Sequence, residues 1–328
     1  INGNYLKYDD KEIVTDYFNS IKSNNGYLCL GTSETTSIKG GGNYYNFLND
    51  DPDLNVKFSV LAGAGRTCAK YVPIFLNHKE DVKYLKVFYY INPVYWREDL
   101  INPSKTYWKR YSNYGVIKNV HISDAEKERY FKEVNYSMNN FNSGEKSTFL
   151  LDYWLRKFRT SYFQDLWFWV NSDSYIQSNS FVKEIKNDLS IYKSFGKVDY
   201  ELIDTVSNET RGHSIAETFK PTTQEINYRY DELISFINLC KDLEVDVTYI
   251  LGPYNGRLIQ NHYPEALEGY ELTVKNVKKI LTENNVSYID ASDNSLKAGT
   301  LSDPMHNSSY GAYLIYKKMK NYVYEREN

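Results

Sequence analysis

Short apolar runs rich in β-branched and aromatic residues recur along the chain, and small or polar residues follow each of them. The runs that predict strands cover residues 27–30, 58–61, 87–91, 245–251 and 286–289. Most of these runs are separated by segments in which hydrophobic residues recur with the spacing of an α-helix. This alternation predicts an α/β protein with a mainly parallel sheet. We therefore expect a three-layer α/β/α sandwich, with its chemistry at the carboxyl ends of the strands, where open α/β sheets bind ligands.

The segment 97–222 does not continue the alternation and predicts a helical insertion between the third and fourth strands. Within it, residues 125–140 predict a polar surface helix, because Ser123 and Glu126 have the spacing of a capping box. Residues 148–170 are dense in Phe, Tyr and Trp. That composition fits a helix buried against the sheet, and it also fits a lip of aromatic rings that lines a sugar or partner groove or rests at a membrane interface.

After the insertion, the spacing of hydrophobic residues predicts helices over residues 224–243, 265–283 and 308–324. No apolar run reaches the length of about 18 residues that a membrane-spanning helix needs. The chain begins with Ile1 rather than Met, so we expect a preceding segment. The sequence predicts a single catalytic domain over 1–328 that contains the insertion.

Charge and cysteine content narrow the range of functions. Lys and Arg number 39 against 42 Asp and Glu, a formal net charge of −3, so there is no basic excess to bind nucleic acid. Cys29, Cys68 and Cys240 are too far apart for a metal knuckle and predict small buried residues. The histidines outside the last loop share no ligand spacing, so we expect neither a metal nor another cofactor. The 33 tyrosines exceed what a core alone requires.

An Asp-x-x-His pair lies in the loop before the last predicted helix. A carboxylate at Asp303 can reach Nδ1–H of His306, which would fix the tautomer and leave Nε2 free as a general base. Ser33 is the candidate nucleophile, because it stands two residues after Gly31 at the end of the first predicted strand. There its hydroxyl would project over the carboxyl edge of the sheet.

Acyl transfer also requires hydrogen-bond donors that face the developing oxyanion. The backbone N–H groups of Ser33 and Gly65 are two candidates, and the side-chain amide of Asn92 is a third. Each of these residues follows a different predicted strand. The sequence therefore predicts an oxyanion site assembled from three strand ends.

Four further residues are candidate substrate contacts, because they also lie near predicted strand ends: Arg66, Trp96, Tyr254 and Asn255. For Arg66 an ordinary surface or ion-pairing role is an equal alternative. For Asn255 the alternative is a role in shaping the turn after the fourth strand.

The order of these blocks, Ser, Gly, Asn and Asp-x-x-His at successive positions, resembles the SGNH (GDSL-like) hydrolase superfamily. Gly31-Thr32-Ser33-Glu34 is similar to the Gly-Ser-Ser-Glu segment of the DltD-like family, and segments 90–96, 252–255 and 302–311 resemble further motifs of that family. Segment 62–67 departs from it, because the family's version contains a glutamine. The resemblance covers roughly 26–96 and 245–324, and it implies Ser33, Asp303 and His306 as the catalytic triad.

The resemblance also implies a reaction and a location. Such proteins are extracytoplasmic, are held to the outer face of the cytoplasmic membrane by an N-terminal anchor, and receive acyl groups from a membrane-bound O-acyltransferase. Our main expectation is an O-acetyltransferase that acts on a cell-wall polysaccharide through a serine ester.

Three alternatives remain open at this point. The first is DltD-like D-alanyl transfer to teichoic acid, which is less favoured because a net charge of −3 offers a phosphate polymer no general attraction and because aromatic rings suit stacking on sugars. The second is a polysaccharide O-acetyl esterase that uses water as the acceptor. The third is a non-catalytic scaffold that binds a glycan or a partner.

Overall fold

The computed structural model describes residues 11–36, 43–62, 67–96, 123–130, 219, 228–301 and 304–327. Its sheet has five strands in the order β2-β1-β3-β4-β5, and all neighbouring pairs are parallel. The strands are β1 (Tyr27–Gly31), β2 (Phe58–Ala62), β3 (Lys86–Ile91), β4 (Asp246–Leu251) and β5 (Tyr288–Asp290). The expected parallel α/β sheet is confirmed, and every strand lies within two residues of its predicted bounds.

The strands are mostly apolar because both faces of the sheet are covered. In β3, Val87 and Tyr89 belong to the core on one face, whereas Phe88 and Tyr90 belong to the core on the other. This alternation of sides along a strand, with burial on both, produces the continuous apolar runs of the sequence.

Helices form the two outer layers. In chain order they are α1 (Lys11–Ser23), α2 (Ser33–Thr36), α3 (Tyr44–Asn49), α4 (Cys68–Asn77), α5 (Lys79–Val82), α6 (Asp124–Tyr130), α7 (Tyr228–Asp242), α8 (Gly256–His262), α9 (Leu267–Glu283) and α10 (Ser309–Glu327). Short 3₁₀ turns cover Pro93–Trp96, Pro264–Ala266 and Ser292–Leu296. Residues of α1, α4, α7 and α9 pack on one face of the sheet, and residues of α3 and α10 pack on the other, which gives the expected three layers.

Of the segment 97–222, the structure describes only 123–130 and Phe219. Helix α6 begins where the capping box predicts, since Ser123 N–H donates to Glu126 Oε2 at 2.8 Å and Glu126 N–H donates to Ser123 Oγ at 3.2 Å. The aromatic segment 148–170 lies outside the described residues. Within the described ranges, no helix combines the length and the apolar character needed to span a bilayer.

Tyrosine fills much of the core. The largest fully buried side chains include Tyr27, Tyr44, Tyr71, Tyr89, Tyr90, Tyr249 and Tyr254. Several of these rings contact one another, as in the stack of Tyr44 on Tyr90 with centroids 6.0 Å apart. The core therefore contains more of the tyrosine residues than the composition predicts.

Candidate active site

The sheet order places a topological switch point between β1 and β3. The chain leaves β1 toward β2 on one side and leaves β3 toward β4 on the other, so the two connections diverge and open a crevice at the carboxyl edge. Ser33 follows β1 and Asn92 follows β3, and these strands pair up to Leu30 opposite Tyr89. Both residues therefore leave the sheet at the same level beside the crevice.

Hydrogen bonds from the side chain of Tyr71 fix the turn that precedes Ser33. The hydroxyl of Tyr71 accepts from Gly31 N–H at 3.1 Å, and its proton points toward the carbonyls of Gly31 and Leu61 at 2.7 and 2.8 Å. It thereby ties the ends of β1 and β2 together. Position 31 also requires glycine, because an added Cβ would lie 2.3 Å from Thr35 Oγ1.

The predicted nucleophile and base are in contact. Ser33 Oγ lies 2.9 Å from His306 Nε2, although the two residues are 273 positions apart in the chain. This distance allows direct transfer of the hydroxyl proton to the ring nitrogen. Both side chains are partly buried, so each retains some exposed surface at the carboxyl edge of the sheet.

The loop before His306 is held by main-chain contacts. Thr300 C=O accepts from Ser308 N–H at 2.9 Å, and Leu301 pairs with Asn307 in an isolated bridge. Ser308 Oγ in turn accepts from Gly311 N–H at 3.0 Å, which caps the start of α10. On the other side of His306, Pro304 C=O accepts from Asn255 N–H at 3.0 Å.

A buried contact that the sequence pattern does not predict links this loop to the sheet. Asn307 Nδ2 donates to Tyr90 Oη at 3.0 Å, and both residues are fully buried. The ring of Tyr90 fits because position 252 is glycine, where a Cβ would lie 2.2 Å from the ring. Tyr90 lies on β3, two residues before Asn92, which follows the strand. The sequence pattern predicts that Tyr90 lies in a strand that ends at the site, but no local pattern predicts its contact with Asn307.

Asn92, a predicted oxyanion donor, has a buried and oriented side chain. Its Oδ1 accepts from Val94 N–H at 3.0 Å, which orients the amide, and its buried Nδ2 has no hydrogen-bond partner among the described residues. Buried donors are rarely left unpaired without a functional reason. A developing negative charge in the crevice would provide the acceptor. Thr32, beside the nucleophile, has a buried hydroxyl that is likewise unpaired within the described part of the chain.

Several predicted site residues lie outside the described residues: Gly65, Arg66 and Asp303. Their roles as oxyanion donor, substrate contact and orienting carboxylate stay predictions. The backbone of Trp96 ends the 3₁₀ turn Pro93–Trp96, directly after Asn92.

Tyr254 and Asn255, the other predicted substrate contacts, are buried. The ring of Tyr254 packs against Phe219 and Tyr270, with centroids 5.0 and 5.9 Å away. Asn255 caps α8, because its Oδ1 accepts from Leu258 N–H at 2.9 Å. This cluster reaches the His306 loop through Met305, which packs against it. In this structure Tyr254 is a packing residue and Asn255 a helix cap, and their roles as substrate contacts stay predictions.

The described residues contain no group of three or more His, Cys, Asp or Glu side chains that could hold a metal ion. The three cysteines are all buried, as expected. Burial raises the pKa of Cys29, Cys68 and Cys240 above the usual range of a thiol, so none of them is an activated nucleophile.

Comparison with known proteins shows a likeness to one family over part of the chain. No curated protein matches the chain. A sequence model of the family described as DltD protein matches residues 186–324, which is less than half of the chain. The match begins inside the segment 97–222 and includes the His306 loop, but it does not include Ser33. Over residues 186–324 the protein is therefore DltD-like, a likeness that indicates a cell-wall-related transferase.

Proposed function

We propose that this protein is a serine acyltransferase that moves a D-alanyl group, through an ester on Ser33, to hydroxyl groups of a teichoic acid-type polymer. The observation that carries acyl transfer is the 2.9 Å contact between Ser33 Oγ and His306 Nε2 at the switch point. The DltD match over 186–324 supports D-alanyl as the transferred group, in preference to the acetyl group favoured by composition. The aromatic segment 148–170, on which the acetyl preference partly depended, lies outside the described residues.

The reaction divides into two half-reactions with a shared base. In the first, Ser33 Oγ attacks the carbonyl carbon of the acyl donor while His306 Nε2 takes the hydroxyl proton. That proton passes to the leaving group as its bond to the acyl carbon breaks, which leaves an ester on Ser33. In the second, His306 accepts the proton of a polymer hydroxyl whose oxygen attacks this ester. The proton returns to Ser33 as the ester bond breaks.

Two other residues serve both steps. Asn92 Nδ2 supplies a fixed N–H donor where the carbonyl oxygen gains negative charge, so its hydrogen bond is stronger in the transition state than in the ground state. Asp303 would orient His306 and stabilise the imidazolium that forms in each half-reaction. These roles predict that loss of either residue lowers kcat more than it raises KM.

We further propose that the protein works on the outer face of the cytoplasmic membrane, anchored through an N-terminal segment, and that a membrane-bound O-acyltransferase supplies its acyl group. The support for this location and this partner is the resemblance to DltD-like proteins. The acceptor polymer would then be a component of the cell wall on the same side of the membrane.

The test is direct acylation. The chain is incubated in parallel with a D-alanyl thioester and an acetyl thioester, and the peptide that contains Ser33 is analysed by mass spectrometry. We expect a D-alanyl adduct on Ser33 and none on the Ser33→Ala variant. Thr32→Val is a matched control, since it removes the neighbouring buried hydroxyl and leaves the nucleophile in place. An adduct of equal yield in the Ser33→Ala protein would refute the assignment of the nucleophile.

A second stage adds acceptors to the acylated protein. A glycerol phosphate oligomer, a neutral cell-wall oligosaccharide and buffer alone are compared for their rates of loss of the adduct. D-alanylated glycerol phosphate oligomer is the expected product. Preferential acetyl adduct and transfer to the neutral oligosaccharide would favour the O-acetyltransferase, and rapid release to water in every arm would favour the esterase.

A further inference from the structure

A small hydrophobic cluster lies at the carboxyl edge of the sheet, separate from the two cores that cover its faces. Its buried members come from distant parts of the chain: Val94, Phe219, Tyr254, Ile259, Ala266 and Tyr270. We name it the edge cluster. Phe219 belongs to the segment 97–222, whereas Val94 and Tyr254 follow the carboxyl ends of β3 and β4. The edge cluster therefore joins the segment 97–222 to the edge of the sheet at which Ser33 lies.

Phe219 contacts both buried tyrosine rings of the edge cluster. Its ring centroid lies 5.0 Å from that of Tyr254 and 5.4 Å from that of Tyr270, with interplanar angles of 67° and 76°. Aromatic pairs prefer such edge-to-face arrangements. Phe219 has no exposed surface. Removal of its ring would therefore open a cavity beside the two tyrosines, which the cluster can fill only by moving.

The edge cluster supports the loop that carries His306. Met305, the residue before His306, packs against the cluster. One position earlier, Pro304 C=O accepts from Asn255 N–H at 3.0 Å. Asn255 directly follows Tyr254, a member of the cluster. The two residues before His306 are therefore held by the cluster or by its immediate neighbour in the chain.

The edge cluster also reaches Asn92, the predicted oxyanion donor. Val94 is a buried member of the cluster, and its N–H donates to Asn92 Oδ1 at 3.0 Å. One packed cluster thus contacts the residues next to the proposed base and next to the proposed donor. Closely packed side chains yield little to compression, so a shift of the cluster would be passed on to both groups. Their positions relative to Ser33 Oγ would then change.

We propose that Phe219 is a positioning residue for the acylation of Ser33 and that it couples the segment 97–222 to this reaction. The inference rests on the proposed function and adds a form of regulation to that same site. With the Phe219 ring in place, His306 and Asn92 keep their positions relative to Ser33. A change in the segment that displaces the ring slows acylation, although the segment interrupts the alternation of strands and helices that builds the sheet.

The test compares truncation of Phe219 with truncation of Phe58, which is equally buried but begins β2 at the opposite, amino edge of the sheet. Single-turnover acylation of Ser33 by a small thioester is measured at several thioester concentrations. Urea unfolding of each variant shows that it is folded under the assay conditions. We expect Phe219→Ala to lower the maximal rate by about ten-fold and to change the half-saturating concentration by less than about two-fold. Phe58→Ala should also lose stability, but its maximal rate should stay within about two-fold of the original.

Two additions separate positioning from a general loss of stability. Leucine variants decide the test if an alanine variant does not fold: Phe219→Leu should lower the maximal rate by about three-fold, and Phe58→Leu should leave it unchanged. Met305→Ala removes the contact between the edge cluster and the loop of His306. Because they act on one loop, the losses of rate from Phe219→Ala and Met305→Ala should combine to less than their product, whereas those from Phe58→Ala and Met305→Ala should multiply.

Three results would overturn the proposal. They are an unchanged rate in the Phe219 variants, equal losses of rate in the Phe219 and Phe58 variants, and losses from Phe219→Ala and Met305→Ala that multiply in full. Failure of the proposed function gives a different result, since Ser33 would then not be acylated even in the unaltered chain. Acylation of Ser33 that is insensitive to Phe219 defeats only the positioning role.

Discussion

The hydrogen bond from Asn307 to Tyr90 permits a sharp test of how His306, the proposed base, is positioned. Tyr90→Phe removes one hydroxyl and keeps the ring that stacks on Tyr44. Because Asn307 Oδ1 already has no partner among the described residues, the substitution leaves its whole side-chain amide unpaired in a buried site. Leaving a buried donor unpaired costs about 1–3 kcal/mol, and we expect the free energy of unfolding in urea to fall by that amount.

The same change should affect catalysis, because Asn307 is the neighbour of His306 in the loop. Release of this anchor lets Nε2 move from its position 2.9 Å from Ser33 Oγ. Displacement of a catalytic group by a fraction of an ångström is expected to lower the rate of Ser33 acylation by about ten-fold, with little change in KM for a small ester. Single-turnover kinetics with an activated ester measure the rate directly.

Tyr249→Phe is the matched control. Tyr249 lies on the adjacent strand β4, is fully buried, and has a hydroxyl without a partner among the described residues. Its loss should leave stability equal or slightly higher, and acylation unchanged. If both variants cost the same stability, or if Tyr90→Phe acylates at the original rate, the argument that Tyr90 positions the His306 loop is refuted.

Three further predictions concern the scaffold. A Cβ in Gly311→Ala would lie 1.9 Å from Thr300 O, so thermal unfolding should show a loss of about 3 kcal/mol, against almost none for the exposed Glu325→Ala on the same helix. The hydrogen bond from Lys79, together with that from Ser123 N–H, lowers the pKa of Glu126 to about 2 from its ordinary 4.5, so its stabilisation of α6 is present above pH 4.5 and is lost as the pH falls toward 2. An NMR titration checks this, and Lys79→Ala should return the pKa toward 4.5. A thiol reagent should leave all three buried cysteines unmodified until denaturant is added, and modification of any of them in the native protein would contradict their burial.

The strands could be predicted because each is buried on both faces and is followed by small or polar residues at the carboxyl edge. The largest shift of a strand boundary is at β5, which begins at Tyr288 although the apolar run begins at Val286. Val286 N–H donates instead to Leu281 C=O, and Asn285 has φ of +50°, so these residues close helix α9 in a Schellman motif. A helix cap and a strand start compete for the same residues, and the sequence pattern does not show which of them prevails.

Helix α8 illustrates a related difficulty. The sequence Tyr254-Asn255-Gly256 is typical of a turn, and the pattern fits both a substrate contact and a turn-shaping role for Asn255. In the structure Asn255 is the N-cap of α8, with its side chain bonded to Leu258 N–H. The same residue type suits a turn and a cap, because in both its short side chain accepts from a nearby backbone N–H group.

The Ser33–His306 pair could be predicted because each residue has a local signature, a glycine turn after a strand and an Asp-x-x-His block before a helix. The contact of Tyr90 with Asn307 has none, since the residues are 217 positions apart and neither type is unusual at its place. Sequence patterns report which element a residue belongs to. They do not report which buried polar groups will meet between elements that are distant in the chain.

Net charge is a weak argument about the acceptor because it averages over the whole surface. Ionic interactions are screened beyond about 8 Å at physiological salt, so a bound phosphate responds to the few charges near it. Elsewhere in the described residues, many acidic side chains are already paired with lysine or arginine, as Asp51 is with Lys320 and Glu327 is with Lys86. Such pairs lower the charge that a ligand encounters without changing the total. A net charge of −3 therefore does not exclude an anionic polymer as the acceptor.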